Sequence, residues 1–205
     1  MAFSDYLKNT YGYDEPIFIN EIVYENYSRP WIFKELKKLL ENGEIKRFGT
    51  GVYYISKETT WGDSQLNPRK VIERRFLSDG NKVYGYIAGA SLLNQTGLSP
   101  QVPNLIEIVT NNESTRVRDI DVGKQRVRAR RSRVTITSDN ARTLQFLDLM
   151  NTITPKSMGE TERYMLRKYI KTCGITKDTV SQYTEAFPAR AMKNMIESGA
   201  VYELA

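Results

Sequence analysis

Two carboxylates and a run of arginines are the side chains of this sequence best suited to chemistry. Asp119 and Asp121 stand two apart in VRDIDV, so on a strand both would leave one face and could hold Mg²⁺ for metal-dependent transfer or cleavage on RNA. Arg116, Arg118 and Arg126 lie within a few residues, however, and from neighbouring strands they would neutralise the pair. No other acidic cluster completes a ligand set, so ion pairing on a strand is preferred to a metal site. The chain has no histidine and one cysteine, Cys173. That excludes Ser-His-Asp and Cys-His nucleophilic catalysis, the usual Cys/His zinc sites and an internal disulfide. The expectation is a protein that binds, with no catalytic residue, metal or cofactor; an RNA-binding protein or an RNA-modifying enzyme using Asp119 and Asp121 is the alternative.

What it would bind is suggested by Gln125 to Arg133, QRVRARRSR, with five arginines in nine positions. Arg126, Arg128 and Arg130 alternate with Val127 and Ala129, which can pack inward only if the arginines point out. Arg116 and Arg118 alternate in the same way around Val117. From Thr115 to Arg133 there are eight bases against two acids, a local excess equal to the formal +6 of the whole chain. Like charges on neighbouring strands cost stability. An anionic partner is therefore preferred for Arg116, Arg118, Arg126, Arg128 and Arg130 over protection of an edge strand by charge.

These side chains need elements to position them. A short helix at 4–10, an extended PIFI, a short helix at 20–24 and a longer helix from Ser28 to Asn42-Gly43 come first. Ser28 is suited to cap the longer helix and Pro30 to its first turn. Ile32, Leu36, Leu39 and Leu40 form its apolar stripe, with Phe33 at the margin, and place Trp31, Lys34 and Lys38 opposite. IKRFGTGVYYIS then reads as a hairpin turning at Gly49-Thr50-Gly51; the chain leaves those glycines as a strand, which excludes a phosphate-binding loop. Helix, helix, longer helix and hairpin is the order of a winged helix-turn-helix. Residues 1–25 carry one base against five acids and residues 26–57 seven against three, so this segment is electrically polar. Arg29, Trp31, Lys34, Lys38, Lys46 and Arg47 are the expected DNA-binding residues, the first three near base edges and the others on phosphates.

The remaining expectation is α+β: a winged helix over 1–57, a linker over 58–67, and a mixed α/β domain with C-terminal helices over 68–205. In the second domain we expect helices at 68–77, 88–96 and 140–150, strands at 82–86 and 105–110, and a basic hairpin turning near 121–124. A strand should continue through 134–136, and helices follow near 157–172, 177–186 and 188–198. Phe146, Leu147 and Met150 make one apolar stripe and Met192, Met195 and Ile196 another, both read as core. No segment has the apolar h-region of a signal peptide or the length of a membrane span, so a cytoplasmic protein is expected, and Asn-x-Ser/Thr matches at Asn26, Asn94 and Asn112 carry no glycan.

One stretch also matches a known pattern. GYIAGASLLNQTGLSPQVPN, Gly85 to Asn104, runs from a strand into Ala88, Gly89 and Ala90, through Asn94, Gly97 and Leu98, to Gln101-Val102-Pro103 and a strand ending at Thr110. It resembles the second domain of AbiEi-type antitoxins, transcriptional regulators of abortive-infection, type IV toxin-antitoxin systems. GTGVYYIS resembles the end of that family's winged helix. The similarity spans about Ser4 to Met150 and leaves the last 55 residues unmatched. It implies a winged helix that binds the promoter of its own operon as double-stranded DNA. It also implies a second domain that opposes a nucleotidyltransferase-type toxin, at that toxin or at its RNA target, with no catalytic residues of its own.

Overall fold

Periodic apolar spacing sets most of the elements in the computed structural model, which describes residues 2–204. Packing divides the chain into two compact units, 1–74 with the turn 122–124, and 75–121 with 125–205. The division at Arg74/Arg75 lies beyond the 57-residue domain expected from sequence.

In the first unit α1 (Phe3–Tyr11) and α2 (Arg29–Glu41) are joined through β1 (Ile17–Phe18), and β2 (Lys46–Gly49) and β3 (Val52–Tyr54) follow. The three strands form an antiparallel sheet in the order β1-β3-β2, with a bulge between Arg47 and Gly49. Phe3, Leu7, Ile17, Ile22, Ile32, Leu36, Leu39 and Ile55 fill the core beneath it. Asn42 ends α2, and Gly43, at φ 76°, supplies the left-handed step that lets the Gly43 and Glu44 N–H groups bond back to the Leu40 and Leu39 carbonyls.

Three local expectations are corrected here. Residues 20–24 form no helix: the chain turns at 19–21 and is irregular over 22–24, and the Arg29 guanidinium donates to the carbonyls of Ile19, Asn20 and Ile22 at 2.8, 2.6 and 3.3 Å. Ser28 sits at the N-cap of α2 but makes no side-chain capping bond, so the helix start rests on Pro30 and on packing. The segment read as a linker forms a small hairpin, β4 (Glu58–Thr59) and β5 (Gly62–Asp63). Lys46 bonds Asp63 at 2.5 Å, and Ser64 bonds Asp14, which ties the base of this hairpin to the unit.

The second unit begins in the helical segment that α3 (Pro68–Ile72) continues as a π-turn, Glu73–Leu77. Its sheet has the order β6-β7-β9-β8, built from β6 (Gly85–Ala88), β7 (Leu105–Thr110), β8 (Val117–Val122) and β9 (Gln125–Arg131). β6 runs antiparallel to β7, while β7 and β9 are parallel with Val109 opposite Arg130. The strand expected at 134–136 is absent, since β9 ends at Arg131 and the chain there is held by Asn111, whose side chain pairs with both backbone groups of Ile136.

Helix α4 (Gly89–Gln95) follows β6, and α5 (Ala141–Thr152) lies at the centre of the unit with residues 141 and 143–150 all buried. The helices α6 (Glu160–Cys173), α7 (Lys177–Ser181) and α8 (Ala189–Glu197) complete the unit. Phe146, Leu147 and Met150 are fully buried, as expected. Met195 joins the same core, but Ile196 is 61% exposed and leaves the expected stripe. Asn194 donates to the Met150 and Ile153 carbonyls at 2.8 and 2.9 Å, so the end of α5 is capped by α8. The chain is therefore a mixed α/β protein of eight α-helices and three sheets among its described residues. No helix among them is long and apolar enough to cross a membrane.

Candidate nucleic-acid interface

The outward side of α2 follows from where its apolar stripe sits. Ile32, Leu36 and Leu39 are buried, and at about 100° per residue the opposite direction passes through Pro30, Lys34, Lys37 and Glu41, all exposed, with exposed Lys38 on one flank and Phe33 on the other. Phe33 is 55% exposed, not a margin of the core. Lys34 has no ion pair or hydrogen bond among the described residues, and Lys37 only a loose 3.8 Å approach to Glu41. Phe33 and Lys37 were not among the residues expected to touch DNA. Their i, i+3, i+4, i+7 spacing with Pro30 and Lys34 is the sequence signal that finds them.

The other expected DNA-binding residues of this unit are partly engaged. Arg29 is exposed, yet its donors go to the three turn carbonyls described above, which makes it a brace for the start of α2. Trp31 is half-buried in a stack of rings: Tyr27 lies 3.9 Å away between centroids, Tyr24 5.7 Å, and Phe3 meets it edge-on at 5.4 Å. Its contact with Phe3 joins α1 to α2, and the ring is only partly exposed. Lys38 pairs with Glu35 at 2.6 Å and Lys46 with Asp63 at 2.5 Å. Arg47 is exposed, and its one hydrogen bond, to the Gly49 carbonyl, is a long 3.4 Å.

In the second unit the arginine strand is sorted by depth. Val127 and Ala129 are fully buried, as the alternation requires. The opposite side of β9 is not free, however, because the register places Tyr86, Val109 and Arg130 in one row on the side that α5 covers. Asp148 of α5 is buried there and accepts from the Tyr86 hydroxyl at 2.8 Å and from Arg130 at 3.3 Å. Burial, and then the charge of Asp148, push the Tyr86 hydroxyl far up from its ordinary value, so it stays a donor. Arg130 is thus a counter-charge for the core.

Nearer the open end, Arg128 grips Asp119 with two parallel bonds, 2.7 and 2.9 Å. Those bonds hold the Asp119 carboxyl below its usual range and raise Arg128. Arg118 pairs with Glu113 at 2.9 Å. Burial would raise Glu113, but the Thr115 N–H and hydroxyl together with Arg118 outweigh it and hold the carboxyl low. Arg116 and Arg126, with Lys124 and Arg131, are exposed and form no ion pair with a carboxylate among the described residues. Arg133 lies over the Phe187 ring at 5.7 Å and bonds the Ala186 carbonyl. Asp119 and Asp121 gain no third ligand: among the described residues no group of three or more metal-ligating side chains gathers anywhere.

The stretch Gly85 to Asn104 supplies β6, α4 and the turn after it. Thr96 closes α4, and Gly97, at φ 73°, carries the Gly97 and Leu98 N–H groups back to the Asn94 and Leu93 carbonyls. Compared with family models and with curated proteins, the chain matches none.

Proposed function

We propose that this chain is a DNA-binding transcriptional repressor, acting by binding and not by catalysis, whose first unit is a winged helix-turn-helix. The observation that carries the reading is the exposed face of α2. It is a slim helix with Lys34 and Lys37 beside an exposed Phe33, and it is followed at once by the β2–β3 hairpin with Arg47. The order α1, β1, α2, β2, β3 and the sheet order β1-β3-β2 support it, with the turn at 19–21 in the place of a middle helix. On this reading Lys34, Lys37 and Phe33 approach base edges, and Arg47, Arg116, Arg126 and Arg131 meet phosphates.

The second half of the proposal is a type IV antitoxin role in the cytoplasm, opposing a nucleotidyltransferase-type toxin or protecting its RNA target. It rests on the resemblance of Gly85–Asn104 and of GTGVYYIS to AbiEi-type regulators. Pairing of Asp119 with Arg128 weighs against the alternative of a metal-dependent RNA enzyme.

Fluorescence anisotropy with a duplex taken upstream of the chain's own reading frame, against a scrambled duplex of equal length, tests the first half. Tighter binding of the upstream duplex at equal salt is expected, and equal affinity for both would remove sequence reading. Co-expression with the adjacent open reading frame tests the second. Growth arrest by that frame alone, relieved by this chain, is expected, whereas an arrest left unrelieved contradicts it.

A further inference from the structure

Two adjoining cavities of the second unit, of about 470 and 290 Å³, share Gln95, Arg142 and Gln145 in their walls. Each falls near or within the range of about 300 to 1,000 Å³ over which small-molecule sites occur. No aspartate or glutamate lines either one, while Arg142 lines both and Lys168 the larger. Neither cation has a hydrogen bond or ion pair among the described residues. Both are exposed, and with no carboxylate on the walls to offset them they give the cleft a net positive charge that suits an anion.

The frame around them is fixed. Arg142 is the second residue of the twelve-residue α5, at its positive end. Asn140, at the N-cap, spends its side chain elsewhere, accepting from Thr137 N–H and donating to the Thr135 carbonyl. Gln145 is locked between the Ile87 carbonyl and the Tyr169 hydroxyl, at 2.9 and 3.1 Å. Gln95 has no such bonds among the described residues, so its amide is free to meet a ligand's donor-acceptor edge. Leu92, Met165 and Tyr169 supply apolar and aromatic wall beside it.

We infer that this cleft binds a small phosphorylated ligand of the nucleoside monophosphate class, its phosphate on Arg142 and Lys168 and its base edge on Gln95. Paired donor and acceptor groups of a glutamine amide match the edge of adenine, and an arginine fork matches phosphate oxygens. The inference is independent of DNA binding and stands or falls without it.

Cys173 lines the larger cavity and is the only cysteine, so its alkylation reports on the cleft alone. The rate of N-ethylmaleimide addition to the full chain would be followed by mass spectrometry with AMP, inorganic phosphate or adenosine present. AMP at millimolar concentration is expected to slow the reaction at least about fivefold, phosphate to slow it less and adenosine not at all. Arg142→Ala and Lys168→Ala, each checked for an unchanged melting curve, should lose the protection. An unchanged rate with AMP, equal protection by adenosine, or full protection of both variants would overturn the proposal. If the thiol reacts too slowly to follow, calorimetric titration with AMP replaces it: heat with the parent chain and none with Arg142→Ala is expected, and no heat with the parent contradicts it.

Discussion

Arginines adjacent in sequence do different work here, and depth separates them. Arg130 neutralises Asp148, which is 4% exposed and also accepts from Tyr86. Arg130→Ala would leave that carboxylate buried with one neutral partner, and we expect a loss of about 1–3 kcal/mol in urea unfolding, below the range for a fully buried pair because Arg130 is itself partly exposed. Arg126→Ala should leave the urea midpoint unchanged, since its side chain makes no hydrogen bond or ion pair among the described residues. Arg29→Ala should cost about 1–2 kcal/mol of stability by releasing three carbonyls, while DNA sequence preference persists in the protein that remains folded. Glu113 gives a pH dependence with a definite sign. Its folded carboxyl is held low, so its contribution is present above about pH 4.3 and is lost as pH falls through the lower folded value. Unfolding midpoints between pH 3 and 7 should therefore fall less steeply on the acid side for Glu113→Gln than for the parent.

At the scale of elements, the β8–β9 ribbon offers fewer free charges than its sequence advertises. Arg118, Arg128 and Arg130 are paired with Glu113, Asp119 and Asp148, so a sequence-blind grip on phosphates falls to Arg116, Arg126 and Arg131. Replacing those three with Ala should flatten the slope of log affinity against log salt by about 0.9 for every phosphate that is no longer neutralised, measured by anisotropy on any duplex. An unchanged slope would take the ribbon out of the DNA footprint. Strong periodicity made α1, α2, α4, α5, β7 and the basic hairpin legible in the sequence to within a few residues. The burial of Val127 and Ala129 was legible for the same reason. What covers the other side of β9 was not, because Asp148 and Tyr86 are 18 and 62 residues from their partners Arg130 and Asp148. The turn at 19–21 was hidden likewise, as nothing local announces that Arg29 will collect carbonyls there. On α2 the apolar stripe was read correctly and Lys34 does lie opposite it, but Trp31 stands about 70° away from that direction. The aromatic stack with Tyr27 and Tyr24 shows why Trp31 belongs to the packed flank.

Across the whole molecule, charge is gathered in two separate arrangements, the first balanced in sign and the second holding the formal excess of +6. One is the first unit, acidic toward its start and basic along α2. The other is the ribbon and the Arg142–Lys168 cleft of the second unit. The central claim is that the first reads DNA through the exposed face of α2. Anisotropy titration of the upstream duplex with the parent chain and with the Lys34→Ala/Lys37→Ala variant, at matched salt and with equal melting curves, tests it most directly. The variant is expected to lose about 1–3 kcal/mol of affinity for that duplex and most of its preference over a scrambled one. A variant that keeps both the affinity and the preference of the parent would contradict it.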